Sequence, residues 1–562
     1  MNDQRNMIMA IVLSAFVLFG WSFASDKLFP QPKSVPQVTA PAPQAAAPAA
    51  AGGAVQLKSR EAVLAATPRV LIDTPKLGGS INLGGARIDD LVLRGYKETI
   101  NKGSPDVRLL SPSGAKSAYF AEFGWLGTGA ALPDSSTIWT ADKAVLTPDS
   151  PVTLSWDNGA GQLFAIRFAV DKDYMFTVQQ RVSNRSAGTI GVRSFGLLSR
   201  SGHSPDPSSW THHSGPMGVF NGAANYSLDY KEMDEGDTLS QSTVGGWLGY
   251  TDKYWLTALI PDQKANVAAR FTLSGADRYQ ADLTPANPSL LSPGKTLTSE
   301  TRFFAGAKEV SLLERYQHDN GVVQFDKAID WGWFYWFEKP IFYTLDWLFR
   351  MVGNFGVAII LLTMAIRGLM FPIAQKQFSS MAAMRVVQPK VKLLQERYKD
   401  DKAKLQQEMM ALYQQEKVNP FAGCMPIFVQ IPIFYALYKV LTLTIEMRHQ
   451  PFALWLKDLS APDPLTPINL FGLLDFTPPS FLALGVLPIL LGITMWAQFK
   501  LNPAPMDPVQ QQVFSLMPWI LMFVMAPFAS GLQLYWVVSN LFTITQQRYF
   551  YATHPVLKNQ KG

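Results

Sequence analysis

An arginine stands inside a long apolar stretch of this sequence. The run FGVAIILLTMAIRGLMF begins at Phe355, and Arg367 is its single charged residue. A guanidinium keeps its proton at any pH that a protein meets, so this position holds a fixed positive charge where lipid is expected. Such a group attracts anions but is neither a nucleophile nor a base. The chemistry that it suggests is electrostatic attraction of a visiting anionic group.

Further polar side chains lie in the apolar segments around this one. Thr363 precedes Arg367 by four residues and shares its helix face. Lipid cannot satisfy such groups, so several together favour a hydrated groove. Interhelical hydrogen bonding explains each one singly, and a side chain that reaches the headgroups explains Arg367 alone. Besides Arg367 and Thr363, the predicted groove contains Gln430, Thr494 and Gln498, and a stripe of Gln533, Trp536, Asn540, Thr543 and Gln547 at spacings of 3, 4, 3 and 4.

Bond-making chemistry and metal binding have little basis in the sequence. Lys439 is the other charge well inside an apolar segment after residue 352, and these segments contain no Asp, Glu or His. Proton-coupled carriers normally need such groups. The six histidines form no HExxH or Cys/His pattern, and the lone Cys424 is typical of a packing residue, so we predict no metal, cofactor or catalytic residue. A net charge of +6 without a Lys/Arg block predicts no direct nucleic-acid recognition.

Six segments are apolar and long enough to cross a bilayer core of roughly 30 Å. The first, at residues 1–25, is predicted to be a retained anchor with a cytoplasmic N-terminus, and a cleaved signal peptide is the alternative. The other five spans are predicted at 353–372, 419–444, 481–499, 513–528 and 529–550. The sequence thus predicts a polytopic α-helical membrane protein.

The remaining segments differ in composition. Residues 26–55 are a Pro/Ala-rich tether, and 56–325 show the short alternating strands of an all-β sandwich domain. Residues 326–352 predict an amphipathic helix in the membrane interface, with Trp331, Trp333 and Trp336 in an aromatic cluster at its start.

Charge asymmetry sets the predicted orientation. A helical hairpin at 373–418, kinked or restarted at Pro389, lies in a connection that contains nine Lys/Arg, whereas the loop at 445–480 has Arg448 and Lys457 alone. The positive-inside rule then places the hairpin, the loop at 500–512 and the tail at 551–562 in the cytoplasm. The β-domain and the loop at 445–480 are predicted to be periplasmic.

Several motifs match a known family. The segments TMAIRGLMFP, QPKVKLLQERYKDDKAKLQQEMMALYQQEKVNP, GCMPIFVQIPIFYALY, PFALWLKDLSAPDP and GLQLYWVVSNLFTITQQ resemble the YidC family of membrane protein insertases over about residues 328–550. The N-terminal part resembles the Gram-negative form, whose periplasmic domain is a β-supersandwich. The resemblance implies a five-helix insertase core in the bacterial inner membrane.

The resemblance also implies a function. A family member inserts and helps fold nascent inner-membrane proteins, alone or with the SecYEG translocon and accessory Sec subunits, and releases them into the lipid bilayer. Arg367 would be the positive residue of a groove open to cytoplasm and lipid, and Thr363 and the Tyr535–Trp536 pair match substrate-contact positions. The hairpin would first contact substrate and ribosome, with Met381, Met384, Lys399, Asp400, Asp401, Lys402, Met409 and Met410 as its contact residues.

Two other functions remain open from the sequence. A small-solute transporter with a periplasmic β sensory domain would need a closed midplane site. A periplasmic carbohydrate enzyme on a membrane scaffold would need a catalytic acid and base in the β-domain.

Overall fold

The computed structural model describes most of the chain after residue 56. The described residues are 57–206, 208, 212–275, 277–399, 401–416, 425–471, 473–474, 484–501 and 508–553. The predicted anchor at 1–25 and tether at 26–55 lie outside the described residues. Asp400 and most of the predicted tail also lie outside them.

Strands between Arg69 and Ala307 form the predicted all-β domain. Buried and exposed residues alternate along several of them because successive side chains of a strand point to opposite faces. The described strands are β1 (Arg69–Asp73), β2 (Leu77–Asn82), β3 (Arg87–Lys97), β4 (Asp106–Leu110), β5 (Tyr119–Thr128), β6 (Thr140–Ala141), β7 (Val145–Leu146), β8 (Val152–Asp157), β9 (Gln162–Val170), β10 (Met175–Asn184), β11 (Ile190–Ser201), β12 (Gly215–Phe220), β13 (Ala223–Asn225), β14 (Leu239–Val244), β15 (Trp247–Thr251), β16 (Trp255–Pro261), β17 (Asn266–Ser274), β18 (Arg278–Pro285), β19 (Ser289–Leu291) and β20 (Thr296–Ala307).

The strands form two sheets. The larger runs in the order β14-β17-β18-β11-β5-β3-β2-β1-β7, with β19 paired to β11 and β4 to β3. The smaller runs β13-β12-β15-β16-β20-β10-β9-β8-β6. The pairing of β1 with β7 is parallel, whereas the pairings β1–β2, β11–β5 and β16–β20 are antiparallel.

The two sheets pack face to face over an aromatic core. Phe123 of the larger sheet contacts Phe168 and Phe303 of the smaller one, with ring centroids 6.2 and 6.1 Å apart. Polar bridges cross the same layer: Arg200 Nη1 donates to Asp252 Oδ1 at 2.8 Å. These contacts confirm the predicted large all-β domain as a sandwich.

The rest of the chain is helical. Helices α1 (Arg60–Ala65), α2 (Tyr230–Asp234) and α3 (Val310–Asp319) accompany the sandwich. The following helices are α4 (Tyr335–Val352), α5 (Phe355–Leu369), α6 (Phe371–Arg397), α7 (Lys402–Gln415), α8 (Met425–Leu443), α9 (Val486–Leu501), α10 (Pro508–Met525) and α11 (Ser530–Thr553).

Helix α4 differs in part from its prediction. Ile341, Leu345 and Leu348 are buried against the protein, while Trp336 and Trp347 remain about 60% exposed. Trp331 does not belong to the exposed aromatic cluster: it is buried and packs edge-on against Phe342. The indole therefore packs inside the protein where the chain passes from the β-domain to α4.

The helical spans are less regular than the sequence predicts. Among the described helices, none of at least 18 residues is both long and apolar enough by itself to cross a membrane. One bent pair, Phe355–Leu369 with Phe371–Met384, meets the criterion together, with a 58° bend. Helix α6 then runs unbroken through Pro389, so the predicted restart at that proline is wrong. The break lies instead at Met370, next to Pro372, which lacks the amide hydrogen that would continue α5.

Lys439 of α8, together with Glu446 and Arg448 just after this helix, bonds to the β-domain and the segment that follows it. We call these contacts the junction. Glu446 Oε1 accepts from Val310 N, the first amide of α3, at 2.9 Å. Lys439 Nζ donates to the Asp330 carbonyl at 2.6 Å. Arg448 Nη1 donates to the Lys97 carbonyl at 2.8 Å. Burial raises the pKa of the Glu446 carboxyl to about 7.

A connecting segment at residues 449–466 covers one end of the helices. The side chain of Asn354, which caps α5, donates to the Phe452 carbonyl at 2.8 Å. Asp463 Oδ2 accepts from Leu487 N in the first turn of α9 at 2.8 Å. Ser530 N and Oγ, at the start of α11, donate to the Ala461 and Asp458 carbonyls. We call this segment the end cap, because it bonds to the first turns of all three helices.

Candidate functional site

Arg367 lies in the last turn of α5 and points toward α11. Its Nε donates to Ser539 Oγ at 2.9 Å, and Nη2 donates to the same oxygen. The Ser539 side chain is buried. Among the described residues, no carboxylate forms an ion pair with Arg367. The sequence predicted attraction of a visiting anionic group here, and the structure adds a hydroxyl acceptor that the prediction missed.

A second pair extends this polar contact to a third helix. Gln430 Nε2 of α8 donates to Tyr535 OH at 2.7 Å, and Tyr535 is buried one turn before Ser539. Thr543, one turn after Ser539, donates to the Ser539 carbonyl at 2.9 Å. The face formed by Tyr535, Ser539 and Thr543 therefore lies between α5 and α8.

A small cavity adjoins the arginine. It has a volume of about 20 Å³ and is lined by Arg367, Met370, Gln377, Thr543 and Gln546 among others. Ile373, Ala374 and Phe378 complete the lining with apolar side chains, and a space of this size is about that of one water molecule. Arg367 therefore has room for one water beside its protein acceptor.

Other predicted groove residues face different neighbours. Asn540 Nδ2 donates to Thr494 Oγ1 at 3.1 Å, and both side chains are buried between α11 and α9. The Thr363 hydroxyl is buried and donates to the Ile359 carbonyl of its own helix at 2.7 Å. Their polar atoms are thus used in packing rather than turned toward an open space.

The ends of the predicted stripe also serve local structure. Gln533 Nε2 donates to the Met525, Ala526 and Phe528 carbonyls at 2.8, 3.3 and 2.9 Å, which closes the turn from α10 to α11. Trp536 is half-buried and packs against Phe434 with ring centroids 4.9 Å apart. Gln498 Oε1 is buried without a hydrogen-bond partner among the described residues.

The predicted hairpin contacts are spread along α6 and α7. Met384 and Met409 lie beside a small apolar cluster around Val387 and Val391 that joins the two helices. Lys399 and Met410 are exposed, and Asp401 caps α7 by accepting from Lys404 N at 3.0 Å. Met381 and Lys402 lie in helices, but their side chains are outside the described part of the structure, as is Asp400.

Lys439 plays a structural part at the junction. It is buried, and its ammonium lies 3.2 Å from the position that a Cβ on Gly332 would occupy. The described residues contain no cluster of three His, Cys, Asp or Glu that could hold a metal ion. The arrangement around Arg367 can hold an anion or a water, but it presents no activated nucleophile and no paired acid and base.

Comparison with known families covers most of the chain. Residues 69–344 match the family described as YidC periplasmic domain, and residues 347–558 match the family described as 60Kd inner membrane protein. The border between the two matches lies within α4. The two families thus divide the chain where the structure passes from the sandwich to the helices.

Individual relatives are similar over nearly the whole chain. A protein named membrane protein insertase YidC from Zymomonas mobilis is 50% identical, covering 98% of this chain and 96% of its own length. A protein of the same name from Methylobacterium nodulans is 45% identical, covering 97% and 94%. A crystal structure described as active YidC insertase is 16% identical and covers 86% of this chain and 93% of its own, but its TM-score of 0.36 is too low to support a statement on fold.

Proposed function

Since the chain belongs to the YidC family of membrane protein insertases, we propose that it inserts nascent inner-membrane proteins through a groove centred on Arg367. The helices α5 and α8 to α11 would be the five-helix core of six spans in all, with both termini in the cytoplasm. The β-domain would be periplasmic.

One observation carries the proposal for the groove. The Arg367 guanidinium sits at the end of an apolar helix with a hydroxyl acceptor and, among the described residues, no ion-pair partner. A fixed charge in such surroundings attracts the acidic or polar tail of a client, because each exposed polar group would otherwise cost several kcal/mol in hydrocarbon. The adjacent cavity supports this, since a retained water lowers the cost of keeping the charge there.

The proposal involves no covalent step. A client would contact the exposed residues of the hairpin first, approach Arg367 from the cytoplasmic side, and leave sideways into lipid. We propose that nascent chains on the ribosome and the SecYEG translocon with its accessory subunits are partners, as the family membership suggests. No observation favours the transporter or the carbohydrate enzyme, and the named relatives are insertases.

Charge substitutions at Arg367 test the groove. We expect Arg367→Lys to be mild and Arg367→Glu to abolish insertion of a client with an acidic tail, because the first keeps the attraction and the second reverses it. The measurement is insertion of two matched clients, one with an acidic and one with a neutral tail, into vesicles that contain the full chain. Arg350→Glu is the control, since that arginine has the same charge on an exposed part of α4.

The two clients separate charge from shape. The neutral client should lose little from Arg367→Glu, and Arg350→Glu should leave both clients unchanged. Equal losses from Arg367→Lys and Arg367→Glu, for both clients alike, would show that shape and not charge matters at this position.

A further inference from the structure

A short apolar turn lies just before α9, within the predicted periplasmic loop. Its described residues are Pro467–Phe471, Leu473 and Leu474, and we call it the apolar turn. Leu470, Phe471 and Leu473 are 52%, 54% and 83% exposed. The sequence from Pro464 to Leu474 contains no charged residue. Such a concentration of exposed apolar side chains in one turn is unusual for a loop in water.

Five backbone amides of the apolar turn form local hydrogen bonds. Leu470 N donates to the Pro467 carbonyl, Leu473 N to the Leu470 carbonyl and Leu474 N to the Asn469 carbonyl. Phe471 N donates to the Thr466 carbonyl at 2.9 Å, and Ile468 N donates to Thr466 Oγ1 at 3.1 Å. The amides of these five apolar residues therefore need no water, which lowers the cost of moving the segment into lipid, where an unpaired amide is expensive.

A hydrogen bond places the start of the apolar turn beside the first residue of α9. Val486 N, the first amide of α9, donates to the Leu465 carbonyl at 3.1 Å, so the turn begins beside the first residue of this helix. The first six residues of α9 are all apolar, and Leu490 and Ile493 on its outer face are exposed. The apolar turn thus begins two residues after the residue that bonds to the first amide of α9, the helix that bears these exposed apolar residues.

The backbone conformation of the turn is strained. Leu470 and Phe471 have φ of +49° and +59°, a left-handed region that bulky residues rarely adopt. Both side chains nevertheless stay about half exposed, so burial in the described part of the protein does not offset the strain. A further apolar environment outside the protein would offset it.

We propose that the apolar turn inserts into the lipid of the periplasmic leaflet beside α9. The occupant of this surface is the acyl region of the bilayer, because the turn lacks charge, satisfies its own amides and continues the apolar end of a span. The choice of leaflet rests on the orientation in the proposed function. The inference adds a lipid anchor where the sequence predicted a loop in the aqueous periplasm.

Site-specific fluorescence in vesicles tests the anchor. In the full chain with Cys424→Ser, a Leu473→Cys variant is labelled with an environment-sensitive fluorophore and reconstituted in phosphatidylethanolamine and phosphatidylglycerol vesicles. We expect a blue-shifted emission that is largely lost with nitroxide-labelled lipid and unaffected by iodide. Leu290→Cys is the matched control, because Leu290 is 79% exposed but lies in β19 of the sandwich. Ile493→Cys is the lipid-facing control.

Each outcome decides the proposal. A label at 473 that behaves like the one at 290, quenched by iodide and not by lipid, would overturn it. A label shielded from both quenchers would also overturn it, because a second copy or another protein would then cover the turn. Insertion of a client is measured in the same vesicles: lipid quenching without insertion would refute the proposed function and leave the anchor standing.

Discussion

Ser539 holds the Arg367 guanidinium between α5 and α11. Replacement by alanine removes the acceptor but not the charge, and a hydrogen bond to a charged group contributes about 1.5–3 kcal/mol. We expect Ser539→Ala to lower the free energy of unfolding by about that amount. Thermal unfolding in detergent measures it, and insertion of an acidic client should fall less than with Arg367→Glu.

The matched control for this variant is Thr545→Ala on the same helix. The Thr545 hydroxyl is exposed and donates to the Leu541 carbonyl, so its loss should change stability by less than about 0.5 kcal/mol. If Ser539→Ala were as stable as the parent chain, water alone would satisfy the guanidinium, and the hydroxyl would have no positioning role.

The sequence predicted part of this site and missed Ser539 for a geometric reason. The stripe from Gln533 to Gln547 has a mean spacing of 3.5 residues, so it was assigned to one face. Asn540 in that stripe bonds to α9, whereas Ser539, one residue and about 100° away, faces Arg367. A short serine in a helix gives no signal of its own, and only the packing of α5 against α11 shows its role.

Among the secondary-structure elements, the turn from α10 to α11 depends on one side chain. The two hydrogens of Gln533 Nε2 are shared among the Met525, Ala526 and Phe528 carbonyls of this turn, and the Met525 carbonyl also accepts from Phe528 N. Leaving a buried carbonyl unpaired costs about 1–3 kcal/mol. We therefore expect Gln533→Leu to destabilise the pair of helices by several kcal/mol, measured as a fall in thermal stability and increased proteolysis at the turn.

Gln512→Leu is the comparison for this element. Gln512 is exposed on α10, so its replacement should leave both readouts unchanged. If the Gln533→Leu protein resisted heat and proteolysis as well as the parent does, water would be replacing the amide, and Gln533 would not stabilise the turn.

The elements themselves were predicted with uneven success. Periodicity predicted the alternating strands, the amphipathic pattern of α4 and two hairpin helices. At Pro389 the sequence left a kink or a restart open, and the restart is wrong because α6 continues through this residue. Proline is tolerated where its neighbours leave room for a slight bend, and Pro389 is exposed. The break at Met370 falls two residues before Pro372, where the sequence predicts the end of the span because a proline cannot continue a helix.

At the scale of the whole molecule, the junction should respond to pH through Glu446. Its carboxyl has a pKa of about 7 when buried and an ordinary value of 4.5, so the folded state keeps a proton that the unfolded chain loses between these pH values. Stability of the junction should therefore fall by about 1–3 kcal/mol as pH rises from 4.5 to 7, and remain lower above it.

Glu446→Gln tests this pH dependence. The amide keeps an oxygen for Val310 N but has no charge, so the variant should be more stable than the parent at pH 8 and similar at pH 5. Thermal unfolding at both pH values measures the difference. Glu235→Gln, on the exposed surface of the β-domain, should have the same dependence of thermal stability on pH as the parent. If Glu446→Gln also had the parent's pH dependence, Glu446 would not be the group responsible.

The junction also predicts how much of the β-domain can be removed. Deletion of the sandwich strands with α3 retained should preserve most insertion, because Val310 still meets Glu446 and Glu314 still meets Lys339. A longer deletion through residue 328 should lose insertion, since it removes both contacts and Asp326. Both deletion variants are tested for their ability to restore growth of a strain depleted of the protein. Equal activity of the two variants would show that the contacts of α3 are not needed for insertion.

The end cap gives the helices unequal freedom at their two ends. Asn354, Leu487 and Ser530 are bonded to it at the beginnings of α5, α9 and α11, whereas Arg367 is held to α11 by one serine near the opposite end. We expect such a bundle to open at the end near Arg367 rather than to widen along its whole length. Under the proposed function, a client that enters near Arg367 would then leave the capped end closed to ions.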